Sequence, residues 1–133
     1  MASIFTRIIT GEIPCFKIAE DENFFAFLDI SPLAKGHTLV VPKKETDYIF
    51  EISDEEHSAL WNYAKYIASA VKAAIPCKRI GIAVIGLEVP HAHIHLIPMN
   101  RVSDMNFSNP KLKISDDEML LIAESIRSAF HKG

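Results

Sequence analysis

Apolar residues recur at three- and four-residue intervals in two long stretches of the chain, which predicts two amphipathic helices. The first is predicted over residues 54–75, where Ser53 and Glu56 form a capping box that satisfies free backbone donors at the helix start. The second is predicted over residues 116–131 and begins with a capping pair of the same kind. A short amphipathic helix is predicted over residues 3–9. We expect the apolar stripes of the long helices to face the core.

Five shorter segments are rich in β-branched and aromatic residues and are bounded by Gly, Pro, Asp or Asn, which predicts strands. They cover residues 16–19, 23–28, 37–41, 79–85 and 92–97. Because strands do not alternate with helices, we expect an α+β fold with an antiparallel five-stranded sheet, one long central helix, a short amino-terminal helix and a carboxyl-terminal helix. No repeat or linker divides residues 1–133, so one domain is expected.

Composition excludes several classes of function. The 133 residues are 49% hydrophobic and 23% charged, a balance typical of a globular domain with its own core. A net charge of -3 argues against a nucleic-acid partner, because gripping a polyanion requires a basic surface. Cys15 and Cys77 form neither a Cys-x-x-Cys pair nor a disulfide framework. Since there is no secretory signal and no membrane-length apolar run, we expect a cytoplasmic protein without a membrane partner.

One segment, residues 90–98, stands out chemically because it holds His91, His93 and His95 at alternate positions. Alternate side chains of a strand face the same way, so three imidazoles are expected on one face while the apolar residues between them enter the core. Solvated histidines on an ordinary strand are a poor explanation, since these are three of only six histidines and imidazole is not a strong strand former. The alternation therefore indicates a functional site.

Two chemistries fit this arrangement. His-x-His pairs can bind Zn, Fe or Mn, but the positions where a local acidic ligand would be expected hold Ile97, Pro98, Met99 and Asn100. Alternatively, a neutral imidazole can attack phosphorus while a second imidazole holds its tautomer and a third donates a hydrogen bond to the departing group. The residues by themselves leave both possibilities open.

The run HAHIHLI that begins at His91 resembles the His-φ-His-φ-His-φ-φ signature of the histidine triad (HIT) family of nucleotide hydrolases and transferases, which includes Hint-like and bacterial members. Residues 4–9, 11–14, 26–32 and 36–43 are similar to the amino-terminal half of that family in order and spacing. The resemblance covers most of residues 3–98 and implies a HIT-like fold.

The resemblance implies a role for each histidine. The middle histidine of the family attacks the α-phosphorus of a nucleotide conjugate and forms a covalent nucleotidyl intermediate that water resolves; here that residue is His93. His91 would orient it, and His95 would contact the phosphate or the leaving group. His37 would support the triad from a neighbouring strand, and Asp29 matches the acidic residue that accepts hydrogen bonds from the ribose hydroxyls.

The resemblance also implies a nucleotide pocket and a substrate class. The positions that match the family's base pocket are Ile4, Phe5, Ile8, Phe27, Ile30 and Leu39. Where many members carry a polar phosphate-binding loop, this chain has Leu87 and Glu88, so Glu88 is expected to point away or to bind an amine of the leaving group. Backbone N–H groups near Val89 would donate to phosphate. The expected substrate is a small-molecule conjugate of a purine nucleotide, AMP or GMP, and is either a phosphoramidate or a dinucleoside polyphosphate. No cofactor is expected.

Metal content and assembly follow from the same resemblance. Some bacterial members begin with Cys-x-x-Cys where this chain has Ser3 and Thr6, so we expect no zinc there and no metal at the site. Members of this size pair through the long helix and the edge strand preceding it, so a homodimer is expected, with Trp61, Tyr63 and Tyr66 as candidate anchors. Two alternatives stay open: a purine-nucleotide-binding or interaction protein with weak turnover, and a histidine-rich metalloenzyme.

Overall fold

A five-stranded antiparallel sheet carries the elements that position the candidate site. In the computed structural model, which describes residues 2–130, the strands are β1 (Lys17–Glu20), β2 (Phe24–Leu28), β3 (Thr38–Pro42), β4 (Arg79–Ala83) and β5 (Ile94–Met99). The helices are α1 (Ile4–Ile9), α2 (Asp54–Ala74) and α3 (Asp116–Ala129), with 3-10 turns at Ile49–Glu51 and Val102–Met105. The strand order is β1-β2-β3-β5-β4, and every neighbouring pair is antiparallel. The predicted α+β class, sheet and helices are confirmed.

At the start of both long helices the structure shows the serine half of the predicted capping box. The Ser53 hydroxyl accepts from the backbone N–H of Glu56, and α3 begins with the same contact. The predicted ends are slightly late. Ile75 is already extended because a proline follows it, and Phe130 is extended at the end of α3. The predicted end of this helix at residue 131 lies outside the described residues.

Helices α2 and α3 cover one face of the sheet and form the main core with it. Fully buried members of this core include Leu60 and Ile67 from α2, Ile126 from α3, and Ile94 and Leu96 from β5. A second, smaller apolar cluster lies apart from this core and joins α1 to β2 and β3; its members are Phe5, Phe25, Phe27, Leu39 and Val41. Strands β2 and β3 are buried along their whole length, so they form a rigid base for the histidines.

The predicted start of the histidine-bearing strand at residue 92 is two residues early. Strand β5 begins at Ile94, so His91 and His93 lie in the segment before it and only His95 lies on the strand. The backbone N–H of Ala92 donates to the Thr46 carbonyl at 2.7 Å, outside the β3–β5 ladder. The alternation of side chains nevertheless persists, because the apolar residues between the histidines enter the main core.

Two details of the expected dimer surface also need correction. Tyr63 is buried and packs against Phe24, and its hydroxyl has no hydrogen-bond partner among the described residues, so it belongs to the core. The strand that precedes α2 is β3, an interior strand, whereas the edge strand on that side of the sheet is β4. Trp61 and Tyr66 are partly exposed. Within residues 2–130, no helix is long and apolar enough to cross a lipid bilayer.

Candidate active site

A cavity of about 460 Å³ gathers most of the residues that the sequence singled out. The predicted residues on its wall are Ile4, Phe5, Asp29, His37, Leu39, Glu88, Val89, His93 and His95. A larger hollow of about 660 Å³ beside Lys44 and the start of α2 has no histidine among its described lining residues. The smaller cavity is therefore the candidate site, because it combines an apolar wall with imidazoles and a carboxylate.

Four predicted residues do not line this cavity. His91 is completely buried behind it. Phe27 is buried in the small apolar cluster beneath Phe5, and Ile8 packs partly buried against the same cluster. Ile30 is 75% exposed to solvent. In this structure, Ile8, Phe27 and Ile30 are thus not part of the cavity wall.

One ring nitrogen of His93 is hydrogen-bonded to the backbone, and the other has no hydrogen-bond partner among residues 2–130. Its Nδ1 lies 2.7 Å from the His91 carbonyl oxygen, which can only accept, so the Nδ1–H donates, and in the neutral ring the lone pair is then on Nε2. The ring is buried and packs edge-on against Phe5 at 4.9 Å between centroids. A neutral imidazole held in this tautomer can act as a nucleophile through Nε2.

His37 and His95 form a hydrogen-bond chain whose direction is determined at its far end. The Leu33 backbone N–H donates to Nδ1 of His37 at 3.0 Å, so the proton of a neutral His37 lies on Nε2. That Nε2–H donates to Nδ1 of His95, also at 3.0 Å. The proton of a neutral His95 is therefore on its Nε2, where it can donate to a ligand. His93 and His95 thus offer opposite functions, a lone pair and a proton.

Burial keeps the rings of His37 and His95 neutral near pH 7. It lowers the pKa of His37 to about 3 and that of His95 to about 4, with smaller contributions from nearby positive charge, including Lys111. Burial also raises the pKa of Asp29, whose Oδ2 lies 3.6 Å from Nε2 of His37. Because His37 is neutral near pH 7, this contact is not an ion pair. The backbone N–H of Ser31 donates to the other carboxylate oxygen of Asp29 at 2.8 Å.

Asp29, His37 and His95 lie close enough to share a metal ion, since their ligand atoms all lie within 4.8 Å of one another. Ligation by Nε2 of His37 would move its proton to Nδ1, where it would face the Leu33 N–H. Two donors would then oppose each other in a buried position, which is costly. In the observed ring orientation the three residues fit a hydrogen-bond chain better than a metal site.

Two residues after β5 contribute to the cavity that sequence patterns did not indicate. The Phe107 ring packs edge-on against His95 at 4.9 Å and against His37 at 6.3 Å between centroids. Lys111 lines the cavity, and its Nζ donates to the Phe107 carbonyl at 2.6 Å. Both lie in an irregular segment without periodicity, so only the folded chain brings them to the histidines.

Comparisons of the sequence and of the structure with known proteins agree on one family. The sequence model of the HIT domain matches residues 10–102. An adenosine 5'-monophosphoramidase of Schizosaccharomyces pombe is 34% identical over 130 residues, which cover 96% of this chain and 98% of that protein. A HIT-like protein of Methanocaldococcus jannaschii is 43% identical over 105 residues, covering 71% and 77%. The crystal structure of a Hit-like protein from Bartonella henselae has a TM-score of 0.83 and 31% identity, and 96% of each chain is covered.

Proposed function

The chain belongs to the HIT domain family, and on this basis we propose that it is a nucleotide hydrolase or nucleotidyl transferase that acts on nucleoside monophosphate conjugates. The observation that carries the proposal is the tautomer of His93. Its Nδ1–H is held by a backbone carbonyl, which leaves the Nε2 lone pair for a cavity that His95 and Asp29 also line. A histidine that only filled space would not need this orientation.

In the first step, Nε2 of His93 attacks the α-phosphorus, an N–P bond forms, and the bond from phosphorus to the leaving group breaks. The His91 carbonyl accepts the Nδ1–H of the ring and stabilises the positive charge that the phosphorylated imidazole acquires. The Nε2–H of His95 donates a hydrogen bond to the departing atom and stabilises its negative charge, and the leaving group then takes up a proton from solvent. Positioning and charge stabilisation are the main contributions the protein makes to phosphoryl-type transfer.

In the second step, water attacks the nucleotidyl phosphorus and the N–P bond breaks. The nucleoside monophosphate leaves with the hydroxyl of that water, and the remaining proton returns to solvent. The lone pair on Nε2 of His93 is restored, with its proton still on Nδ1. An alcohol or amine in place of water would give nucleotidyl transfer. No cofactor is needed for either half of this cycle.

The substrate's nucleoside would lie between a carboxylate and an apolar wall. We assign the ribose hydroxyls to Asp29, whose carboxylate can accept from both hydroxyls of a cis-diol. The base would lie against Ile4, Phe5 and Leu39, which supply the apolar side of the cavity. A purine base is supported by the relative whose name specifies adenosine 5'-monophosphate.

The leaving group is the less constrained part of the substrate. Lys111 carries positive charge near His95, which suits a phosphate chain, whereas exposed Glu88 on the same cavity suits an amine. Both a phosphoramidate and a dinucleoside polyphosphate therefore fit the cavity's charges. The relative named as a monophosphoramidase favours the phosphoramidate.

Replacement of His93 tests the proposal. The change His93→Ala should reduce release of AMP from an AMP–amine conjugate by at least about a thousandfold, since a covalent step loses its nucleophile. The matched control is His57→Ala, because His57 lies on α2 and contacts Trp61 rather than the cavity. Circular dichroism verifies that both variants fold. A nucleotidyl adduct on His93, trapped by rapid quenching and located by mass spectrometry, would support the intermediate directly.

The opposite results would identify an alternative. Near-normal turnover by His93→Ala would remove His93 from the chemistry. Tight AMP binding by the wild type, without cleavage of any conjugate in a panel, would indicate a nucleotide-binding protein. Stoichiometric Zn, Fe or Mn with chelator-sensitive activity would instead favour a metalloenzyme.

Assembly and location belong to the same proposal. A homodimer is supported by the exposed edge strand β4, where Ile82 is 46% exposed, and by the partly exposed Trp61 and Tyr66 on α2. Light scattering of the purified protein would measure the mass in solution. A cytoplasmic location is supported by Cys15 and Cys77, which are both free thiols and suit a reducing compartment.

A further inference from the structure

A polar cluster outside the cavity joins the amino-terminal helix to the first triad histidine. The Ser3 hydroxyl lies 2.7 Å from Nδ1 of His91, and the Thr6 hydroxyl lies 3.5 Å from the same nitrogen. One oxygen of Glu45, Oε1, accepts from the Ser3 backbone N–H and from the Thr6 hydroxyl, each at 2.7 Å. His91 is completely buried and Ser3 nearly so. Three segments that are distant in sequence therefore meet at one imidazole.

Each hydrogen bond of the cluster has only one possible direction when His91 is neutral. The Pro42 carbonyl lies 2.7 Å from Nε2 of His91 and can only accept, so Nε2 carries the proton. Nδ1 is then an acceptor, and the Ser3 hydroxyl donates to it. The Ser3 oxygen in turn accepts from the backbone N–H of Thr6 as the amino-terminal cap of α1. Burial lowers the pKa of His91, which favours this neutral form.

The cluster reaches His93 by two routes. The first is the backbone: the His91 carbonyl accepts the Nδ1–H of His93, so the position of residue 91 determines where the nucleophilic ring can lie. The second is α1: its Phe5 ring packs edge-on against His91 at 5.8 Å and against His93 at 4.9 Å between centroids. Glu45 secures the first turn of α1 and therefore acts on both routes.

We propose that Glu45, acting through Ser3 and Thr6, is a positioning residue that docks α1 on the triad and thereby sets the orientation and tautomer of His93. Glu45 is not on the cavity wall, so it does not touch substrate. Its carboxylate is a stable anchor, because the bonds from Ser3 and Thr6 lower its pKa to about 2. The inference rests on the proposed function only for its kinetic consequence, since the orientation of His93 is a property of the free protein.

The kinetic test compares three changes at the cluster. Glu45→Ala removes the acceptor and should lower kcat for an AMP–amine conjugate about tenfold or more, because a small displacement of a nucleophile slows its attack strongly. The Kd for AMP should change less than about threefold, since base and ribose contacts remain. Glu45→Gln keeps an oxygen that can accept both bonds and should restore most of kcat. Thr6→Val removes one bond, keeps the helix cap, and should have an intermediate effect.

The matched control is Glu12→Ala. Glu12 forms a surface ion pair with Arg7 near the other end of α1, at 3.3 Å, so this change also removes an acidic contact of the same helix. It should leave kcat unchanged. Thermal unfolding verifies that each variant is folded at the assay temperature. If Glu45→Ala does not fold, Thr6→Val and Glu45→Gln still test the ordering of effects.

A second readout needs no turnover. The ¹⁵N chemical shifts of the histidine rings distinguish protonated from unprotonated nitrogens, and wild-type His93 should show one tautomer with its proton on Nδ1. Glu45→Ala should show a mixture, and Glu45→Gln should restore the single tautomer. Unchanged His93 shifts and unchanged kcat in folded Glu45→Ala would overturn the inference. If wild type has no activity but the shifts respond as described, the proposed function fails and the positioning role stands.

Discussion

The burial of His37 and His95 as neutral rings should make the stability of the protein strongly dependent on pH. His37 and His95 are 1% and 8% exposed, and their pKa values in the folded chain are about 3 and about 4. In the unfolded chain both return to about 6.5. Below that pH the unfolded chain binds protons that the folded chain does not. Their contribution to stability is therefore complete above about pH 6.5 and is lost as the pH falls toward the folded pKa values.

The size of the effect follows from these values. Between pH 7 and pH 5, a histidine of pKa about 6.5 in the unfolded chain gains about 1.9 kcal/mol from protonation. A folded ring with a pKa of about 4 or lower gains less than about 0.1 kcal/mol over the same interval. The two rings together should lower the free energy of unfolding by about 4 kcal/mol. This is a large part of the total stability of a typical domain, which is about 5–15 kcal/mol.

Urea unfolding followed by circular dichroism at pH 7, 6 and 5 measures this loss. His37→Asn removes one titrating ring and should reduce the difference between pH 7 and pH 5 by about 2 kcal/mol. Ile126→Val is the control, because it should lower stability by about 1 kcal/mol at every pH without changing the pH dependence. A wild-type loss below about 1 kcal/mol, or an unchanged pH dependence in His37→Asn, would refute the reasoning.

Two predictions concern substrate recognition. Asp29→Asn should raise KM about tenfold for a ribonucleotide conjugate and much less for the 2'-deoxy conjugate, which lacks one of the hydroxyls assigned to this carboxylate; equal effects on the two substrates in steady-state assays would contradict the assignment. Lys111→Met should raise KM about tenfold for a dinucleoside polyphosphate and less for an uncharged AMP–amine conjugate, because only the former places extra negative charge near the ammonium. Lys111→Arg should keep the preference, and a uniform change across both substrates would place Lys111 outside the leaving-group site.

Local patterns along the chain were enough to predict the elements of the fold and to identify the residues that carry chemistry. Helices α2 and α3 follow from local signals, since the capping serine, the apolar stripe and the following extended residues all act within a few positions. The alternation of His91, His93 and His95 with apolar residues is likewise local. It places the histidines on one side even though two of them precede the strand.

How those residues can react depends on contacts between segments that are far apart in the sequence. The proton on His95 is directed by His37, 58 positions earlier, because β3 and β5 are neighbours in the sheet. His91 is oriented by Ser3, 88 positions away, and Phe107 reaches the site from a segment without periodicity. Tautomers and pKa values depend on burial and on partners brought together by the strand order, and no short-range pattern of residues carries that information.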